Sequence, residues 1–208
     1  MRLRALAGTV LLLGTGLLPA AVDPARLPGL AELLHREESL VGLDGETVPL
    51  RHLTGNDKPL VIEFWATWCA PCRKNLPHLV SLQKKYGDRL VVLGLTVEDP
   101  ASDMEKVRTY VRAQGVNFTV AFAPNTLFQF MNRRPDIAVP KLFVFDAAGH
   151  TLAYIPRYSL FTRRKLESAV ARAFSHDAKA LTGVRPLRID IAQAQQGSPD
   201  GEPSDQSK

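Results

Sequence analysis

Residues 60–74, Leu-Val-Ile-Glu-Phe-Trp-Ala-Thr-Trp-Cys-Ala-Pro-Cys-Arg-Lys, constrain the fold of this chain more than any other stretch. Leu60 to Trp65 is nearly all apolar, β-branched or aromatic at its centre, with one acid, Glu63, inside it. Such a run predicts a strand buried on both faces. A short turn follows, then Cys-x-x-Cys at the opening of a helical pattern. Pro71 suits the first turn of that helix, where a missing N–H costs nothing. The placement gives Cys69 the N-terminal end of a helix dipole, which favours thiolate over thiol. Cys69 and Cys72 are the only cysteines of the chain. Two intervening residues close a tiny loop, which stabilises a fold little and leaves the bond reactive. The stretch therefore reads as a redox site rather than a structural staple.

The flanking chain can be read in order. Asp23 to Ser39 is Pro-interrupted and then helical, with Leu30, Leu33 and Leu34 at helical spacing. Leu40–Leu43 and Thr47–Leu50 flank Asp44-Gly45, a hairpin signal. After Cys72 the helix is expected to run to about Tyr86, with Leu76, Leu79, Val80 and Leu82 on its apolar face and Gly87 as C-cap. Pro77 removes the hydrogen bond to the Arg73 carbonyl, so a bend is expected there. Arg89 to Val97 reads as a second buried strand. Ser102 reads as an N-cap with Glu105 as its capping-box partner, opening a helix to about Gln114. Val116–Ala121 reads as a short strand and Asn125–Met131 as a short helix. Leu142–Phe145 and Leu152–Ile155 flank a five-residue turn, and Thr162 caps a closing helix to about Phe174. From Arg185 the chain is rich in Gln, Gly, Ser, Pro and Asp, which reads as a disordered tail over 185–208.

Trp68-Cys69-Ala70-Pro71-Cys72 after a Phe-Trp strand resembles the thioredoxin superfamily, and most of all its extracytoplasmic branch, the TlpA-like thiol–disulfide oxidoreductases. Glu63, six residues before Cys69, stands where thioredoxins place a buried acid. Pro77 matches the proline of the family's first long helix, and Val139-Pro140 before Leu142–Phe145 matches its cis-proline loop. The resemblance implies an α/β thioredoxin fold, a central mixed sheet flanked by helices, with an N-terminal β-hairpin and a TlpA-like helix-strand insertion. It divides the chain into an N-terminal helical segment at 22–39 and a thioredoxin-like domain at 40–176. The expected activity is thiol–disulfide exchange, with reduction of protein disulfides as the implied direction. The alternatives are a disulfide-donating oxidase and a non-catalytic metal or cytochrome-maturation chaperone on the same fold.

Composition sets the surroundings. The 208 residues are 45% hydrophobic, normal for one globular core with extensions. Met1 to Arg4 followed by an uncharged stretch from Ala5 to Val22 reads as an export signal over 1–21, either a cleaved signal peptide or an N-terminal anchor. Loss of Arg2 and Arg4 would reduce the formal charge from +5 to +3. Arg133-Arg134 and Arg163-Arg164-Lys165 are short and read as solvated surface, so nucleic acid is not an expected partner. The expected location is the periplasm or the outer face of a bacterial membrane, where disulfides persist.

In this reading Cys69 is the nucleophile and Cys72, one turn further in, resolves the mixed disulfide. The acid at Glu63 either relays a proton to Cys72, as the resemblance implies, or reaches solvent or a lysine such as Lys58 or Lys141. Trp68 is expected at the rim and Trp65 in the core. Val139 and Pro140 are expected to present backbone to a substrate chain as an added strand. Asn75 stands where many relatives of this branch carry a glutamate, and Lys141 where they usually carry threonine. Cys69, Cys72 and His78 lack an obvious fourth ligand, so neither a metal nor another cofactor is expected. The expected partners are protein dithiols or disulfides and a membrane redox protein that recycles the cysteines, with the chain itself a monomer.

Overall fold

The apolar run Leu60–Trp65 forms β3, all six residues buried, an interior strand of a seven-stranded mixed sheet. The structure is a computed structural model and describes residues 27–54, 57–132 and 138–183. The expected leader at 1–21, the tail at 185–208 and the Arg133-Arg134 pair lie outside the described residues.

The chain runs α1 (Leu30–Leu34), β1 (Ser39–Gly42), β2 (Thr47–Pro49), α2 (Leu50–Leu53), β3 and α3 (Ala70–Tyr86). It continues through β4 (Val91–Thr96), α4 (Pro100–Ala113), β5 (Thr119–Phe122), α5 (Asn125–Asn132), β6 (Lys141–Phe145), β7 (Thr151–Ile155) and α6 (Leu160–Gly183). The strand order is β2-β1-β5-β4-β3-β6-β7. β3 is parallel to β4 and antiparallel to β6, so the ends of β3 and β4 and the start of β6 meet at one edge. The hairpin turns through Gly45 at φ +93, a conformation that suits glycine, and β1 then joins the sheet antiparallel to β5.

Strand alternation sorts the core. Leu60, Ile62 and Phe64 face one side with Leu93, Leu95, Phe143 and Phe145, where α1, α2 and α5 contribute Leu33, Leu50 and Phe128. Phe64 meets Phe128 edge-on with ring centroids 5.1 Å apart. Val61, Glu63 and Trp65 face the other side, under α3, α4 and α6. Among these core side chains on β3, Glu63 is the ionisable one.

The start of α4 differs from the expectation. Asp99, not Ser102, is its N-cap, accepting from the Ala101 N–H at 2.9 Å, with Pro100 at the first helical position. A residue before proline is held out of helical geometry, so Asp99-Pro100 fixes the boundary three residues earlier than a capping box at Ser102 would. Glu105 instead lies 3.6 Å from Arg108.

Candidate functional site

β3 ends at Trp65, and a tight turn closed by the Cys69 N–H on the Ala66 carbonyl (3.1 Å) delivers the two cysteines to the N-terminus of α3. Cys69 is the N-cap residue rather than part of the first turn, and its Sγ accepts the Cys72 N–H at 3.2 Å. The sulfurs are joined as a disulfide, with Cα atoms 5.2 Å apart. Cys72 is fully buried and Cys69 retains 4% exposure, less than the expectation of an exposed nucleophile suggests. The helix end therefore aims an N–H at the sulfur that can reach solvent, which is the arrangement that stabilises a thiolate there.

Four residues singled out in the sequence lie around the pair. Trp68, next to Cys69, is 56% exposed, a large apolar side chain presented beside the disulfide. Trp65 is buried, stacked at a tilt on Tyr110 with centroids 5.8 Å apart. The Val139–Pro140 bond is cis, as the resemblance implies, and the Val139 carbonyl oxygen lies 3.5 Å from Cys69 Sγ. Pro140 is buried and leads directly into β6.

Glu63 lies under α3. It is fully buried, and its Oε1 accepts from the Asn75 side-chain amide at 2.9 Å. Its Oε2 has no hydrogen-bond partner among the described residues. Burial pushes the Glu63 carboxyl up to about 8, with the Asn75 bond working in the opposite direction. The acid is therefore largely protonated at neutral pH. Asn75 follows Cys72 by three residues, which puts both on the face of α3 turned to the sheet. The sequence shows Asn75 only as a departure from the family pattern; its i+3 spacing from Cys72 is the signal that links it to Glu63. Gly94, the β4 partner of Glu63, lets the Trp65 indole lie across it: a Cβ there would sit 3.3 Å from Trp65 Nε1 and 3.0 Å from the Phe118 ring.

A second buried acid was not among the sequence candidates. Glu98, just past β4, accepts four hydrogen bonds, from the Thr67 N–H (2.8 Å), Thr67 Oγ1 (2.6 Å), Thr96 Oγ1 (3.0 Å) and Lys106 Nζ (2.7 Å). Burial alone would raise its pKa, but the bonds from Lys106, Thr67 and Thr96 outweigh this and hold it below the usual carboxylate value. Beside it, Thr67, Arg73, Glu105, Lys106, Thr109 and Tyr110 line an open cleft of about 560 Å³.

His78, on the same helix, is turned toward α6, its Nε2 3.6 Å from Glu167. Burial and the nearby Arg163 lower its pKa, with Glu167 opposing. Among the described residues no group of three His, Cys, Asp or Glu side chains is placed to hold a metal ion.

Known proteins share this fold. The family model described as AhpC/TSA family matches residues 36–154. The thioredoxin-like protein YneN of Bacillus subtilis is 34% identical over 111 residues, covering 53% of this chain and 62% of that protein. The thiol-disulfide oxidoreductase ResA of Bacillus anthracis is 33% identical over 79 residues, covering 38% of this chain and 43% of that one. These matches span less than two thirds of the length of YneN and less than half of ResA. A solved thiol:disulfide interchange protein of the thioredoxin family from Chlorobium tepidum superposes with a TM-score of 0.54 at 28% identity, over 74% of this chain and 99% of that one.

Proposed function

We propose, from the premise that this chain belongs to the AhpC/TSA family and to the TlpA-like branch of the thioredoxin superfamily, that it is a thiol–disulfide oxidoreductase acting on protein disulfides outside the cytoplasm. The observation that carries the reading is the Cys69–Cys72 disulfide at the N-terminus of α3, with the Cys72 N–H on Cys69 Sγ.

In the reducing direction the Cys69 thiolate attacks one sulfur of a substrate disulfide and expels the other as thiolate. Cys72 then attacks Cys69 Sγ in the mixed disulfide and releases the second substrate sulfur. Two electrons pass to the substrate and the protein is left as the disulfide; the Cys72 proton goes to Glu63, and the substrate thiolates take their protons from solvent. Reduced Cys69 keeps the Cys72 N–H as its donor, so thiolate forms where attack starts. Glu63, bonded to the Asn75 amide, accepts in its ionised fraction the proton that Cys72 loses on resolving and returns it when the disulfide is reduced again. A carboxyl held near 8 exchanges a proton readily at neutral pH.

The substrate chain lies across Trp68 and along the cis-proline loop, where backbone groups of Val139 pair with it as an added strand. The exported location rests on the uncharged N-terminal stretch; no helix among the described residues is long and apolar enough to cross a membrane. A monomer in that setting needs a membrane dithiol donor to restore Cys69 and Cys72.

The test is the reduction potential of the cysteine pair, read by equilibration in redox buffers followed by alkylation. A value at or below about −250 mV supports the reductant. A value near about −150 mV makes the protein a disulfide donor. Failure to cycle refutes the dithiol reading altogether.

A further inference from the structure

The turn that carries Trp68 and Cys69 is held from behind by a charged network on a different part of the chain. β3 and β4 leave the sheet side by side: Trp65 pairs with Thr96, and the Val97 N–H donates to the Trp65 carbonyl at 3.0 Å. Glu98 then turns back under the active-site turn. One carboxylate oxygen takes the Thr67 N–H and the Thr96 hydroxyl, and the other takes the Thr67 hydroxyl and Lys106 Nζ. All four bonds are 3.0 Å or shorter. Lys106 comes from α4 and also contacts Asp103 at 3.2 Å. Arg73 from α3, and Glu105 and Tyr110 from α4, line the cleft that Lys106 shares.

Two of the four donors belong to one residue, Thr67, two positions before Cys69. A neutral acceptor could have capped a single N–H there. An ionised carboxylate bonded to the turn two residues before the reactive sulfur would disfavour a thiolate by like-charge repulsion unless a cation offsets it. Lys106 supplies that cation at contact distance, and charged hydrogen-bond partners hold geometry more firmly than neutral ones.

We propose that Glu98 and Lys106 are a positioning pair for the redox turn: Glu98 fixes Thr67, and through it Trp68 and Cys69, while Lys106 neutralises the charge this places behind the nucleophile. The inference rests on Cys69–Cys72 being a redox pair and extends it to residues that touch neither sulfur. It assigns a role to α4, whose Lys106 ties that helix to the turn.

The pair separates from a merely structural staple by the sign of its effects. Lys106→Met keeps the stem and leaves the Glu98 anion unbalanced. It should slow alkylation of reduced Cys69 and make the protein more reducing. Glu98→Gln removes one anion from the turn, leaving Lys106 to Asp103 alone, and should do the reverse. The double variant removes both charges and should return toward wild type, and Lys106→Arg should stay near it. The measurements are the alkylation rate and the thiol–disulfide equilibrium constant for each variant, alongside thermal melts. Opposite shifts on the order of threefold in the equilibrium constant are expected, where tenfold corresponds to about 30 mV. If Glu98→Gln does not fold, Lys106→Met against Lys106→Arg still decides. A wild type that cycles, with single variants unmoved or moved the same way, would overturn the pair alone. A wild type that does not cycle would overturn the dithiol reading and the pair with it.

Discussion

The Asn75 side-chain amide donates to Glu63 Oε1 at 2.9 Å, linking the helix that carries Cys72 to the acid in the central strand. Among the described residues Glu63 has no other hydrogen-bond partner at its carboxylate. Asn75→Ala should therefore raise the Glu63 titration by roughly one unit, the worth of one hydrogen bond to the charged form. Asn75→Asp should give two coupled carboxyl titrations and a less stable protein at neutral pH. Carbon-detected NMR titration of the carboxyl groups reads both outcomes. An unmoved Glu63 signal in Asn75→Ala would remove Asn75 as its partner.

The same carboxyl sets a stability dependence on pH. Its pKa rises from 4.5 to about 8 on folding, so the folded state binds the proton more tightly than the unfolded one. Glu63 thus favours the fold fully below about pH 4.5, and that contribution is lost as pH rises toward 8. Glu63→Gln should gain over wild type across that window, by on the order of a few kcal/mol at its upper end. Urea melts at several pH values should show the two proteins diverging as pH rises. The variant should also slow the step that uses Cys72 while leaving alkylation of Cys69 nearly unchanged.

Exchange through a mixed disulfide predicts an asymmetry between the cysteines. Cys72→Ser should accumulate a covalent adduct with a disulfide substrate on non-reducing gels, whereas Cys69→Ser should form none. Adducts of equal yield in both variants would reverse or erase the assigned roles.

Trp68 is exposed and packs little of the core, so Trp68→Ala should leave the melting temperature within a few degrees of wild type. Its loss should lower kcat/KM on a protein disulfide by about tenfold, the scale of one aromatic anchor, and barely affect a small disulfide such as oxidised glutathione. Equal losses on both substrates would place Trp68 in the chemistry rather than in docking.

A methyl group on Gly94 would press on the Phe118 ring and the Trp65 indole. Gly94→Ala should cost about 1–3 kcal/mol in urea unfolding, the usual range for overpacking. A neutral result would mean that Trp65 and Phe118 can move apart freely.

The readable parts of this protein were the local ones. β3, α3 and the β6–β7 hairpin follow from apolar runs, a proline at a helix start and glycines at turns, all signals spanning a few residues. The cis bond before Pro140 followed from resemblance, because nothing local to Val139 requires it. Glu98 was illegible for the opposite reason. Its partners Thr67 and Lys106 come together only once β3 and β4 pair in parallel and α4 folds back, and no short window of sequence holds all three. The start of α4 was misplaced because two capping signals compete within four residues, and the one with proline behind it prevails.

The strand order also fixes a sequence of events during synthesis. β1 and β2 emerge first, but the far edge of β1 pairs with β5, Val41 opposite Phe122. Until residue 122 is free of the ribosome, that hairpin has no sheet to join. β3 likewise waits for β6 on its antiparallel side. A chain interrupted before β5 would therefore carry open strand edges and the apolar run of β3 uncovered, a form prone to mispairing with other chains. Long-range pairing of this kind makes folding slow relative to helical proteins of the same size, and leaves the two cysteines open to foreign thiols until the sheet closes around β3.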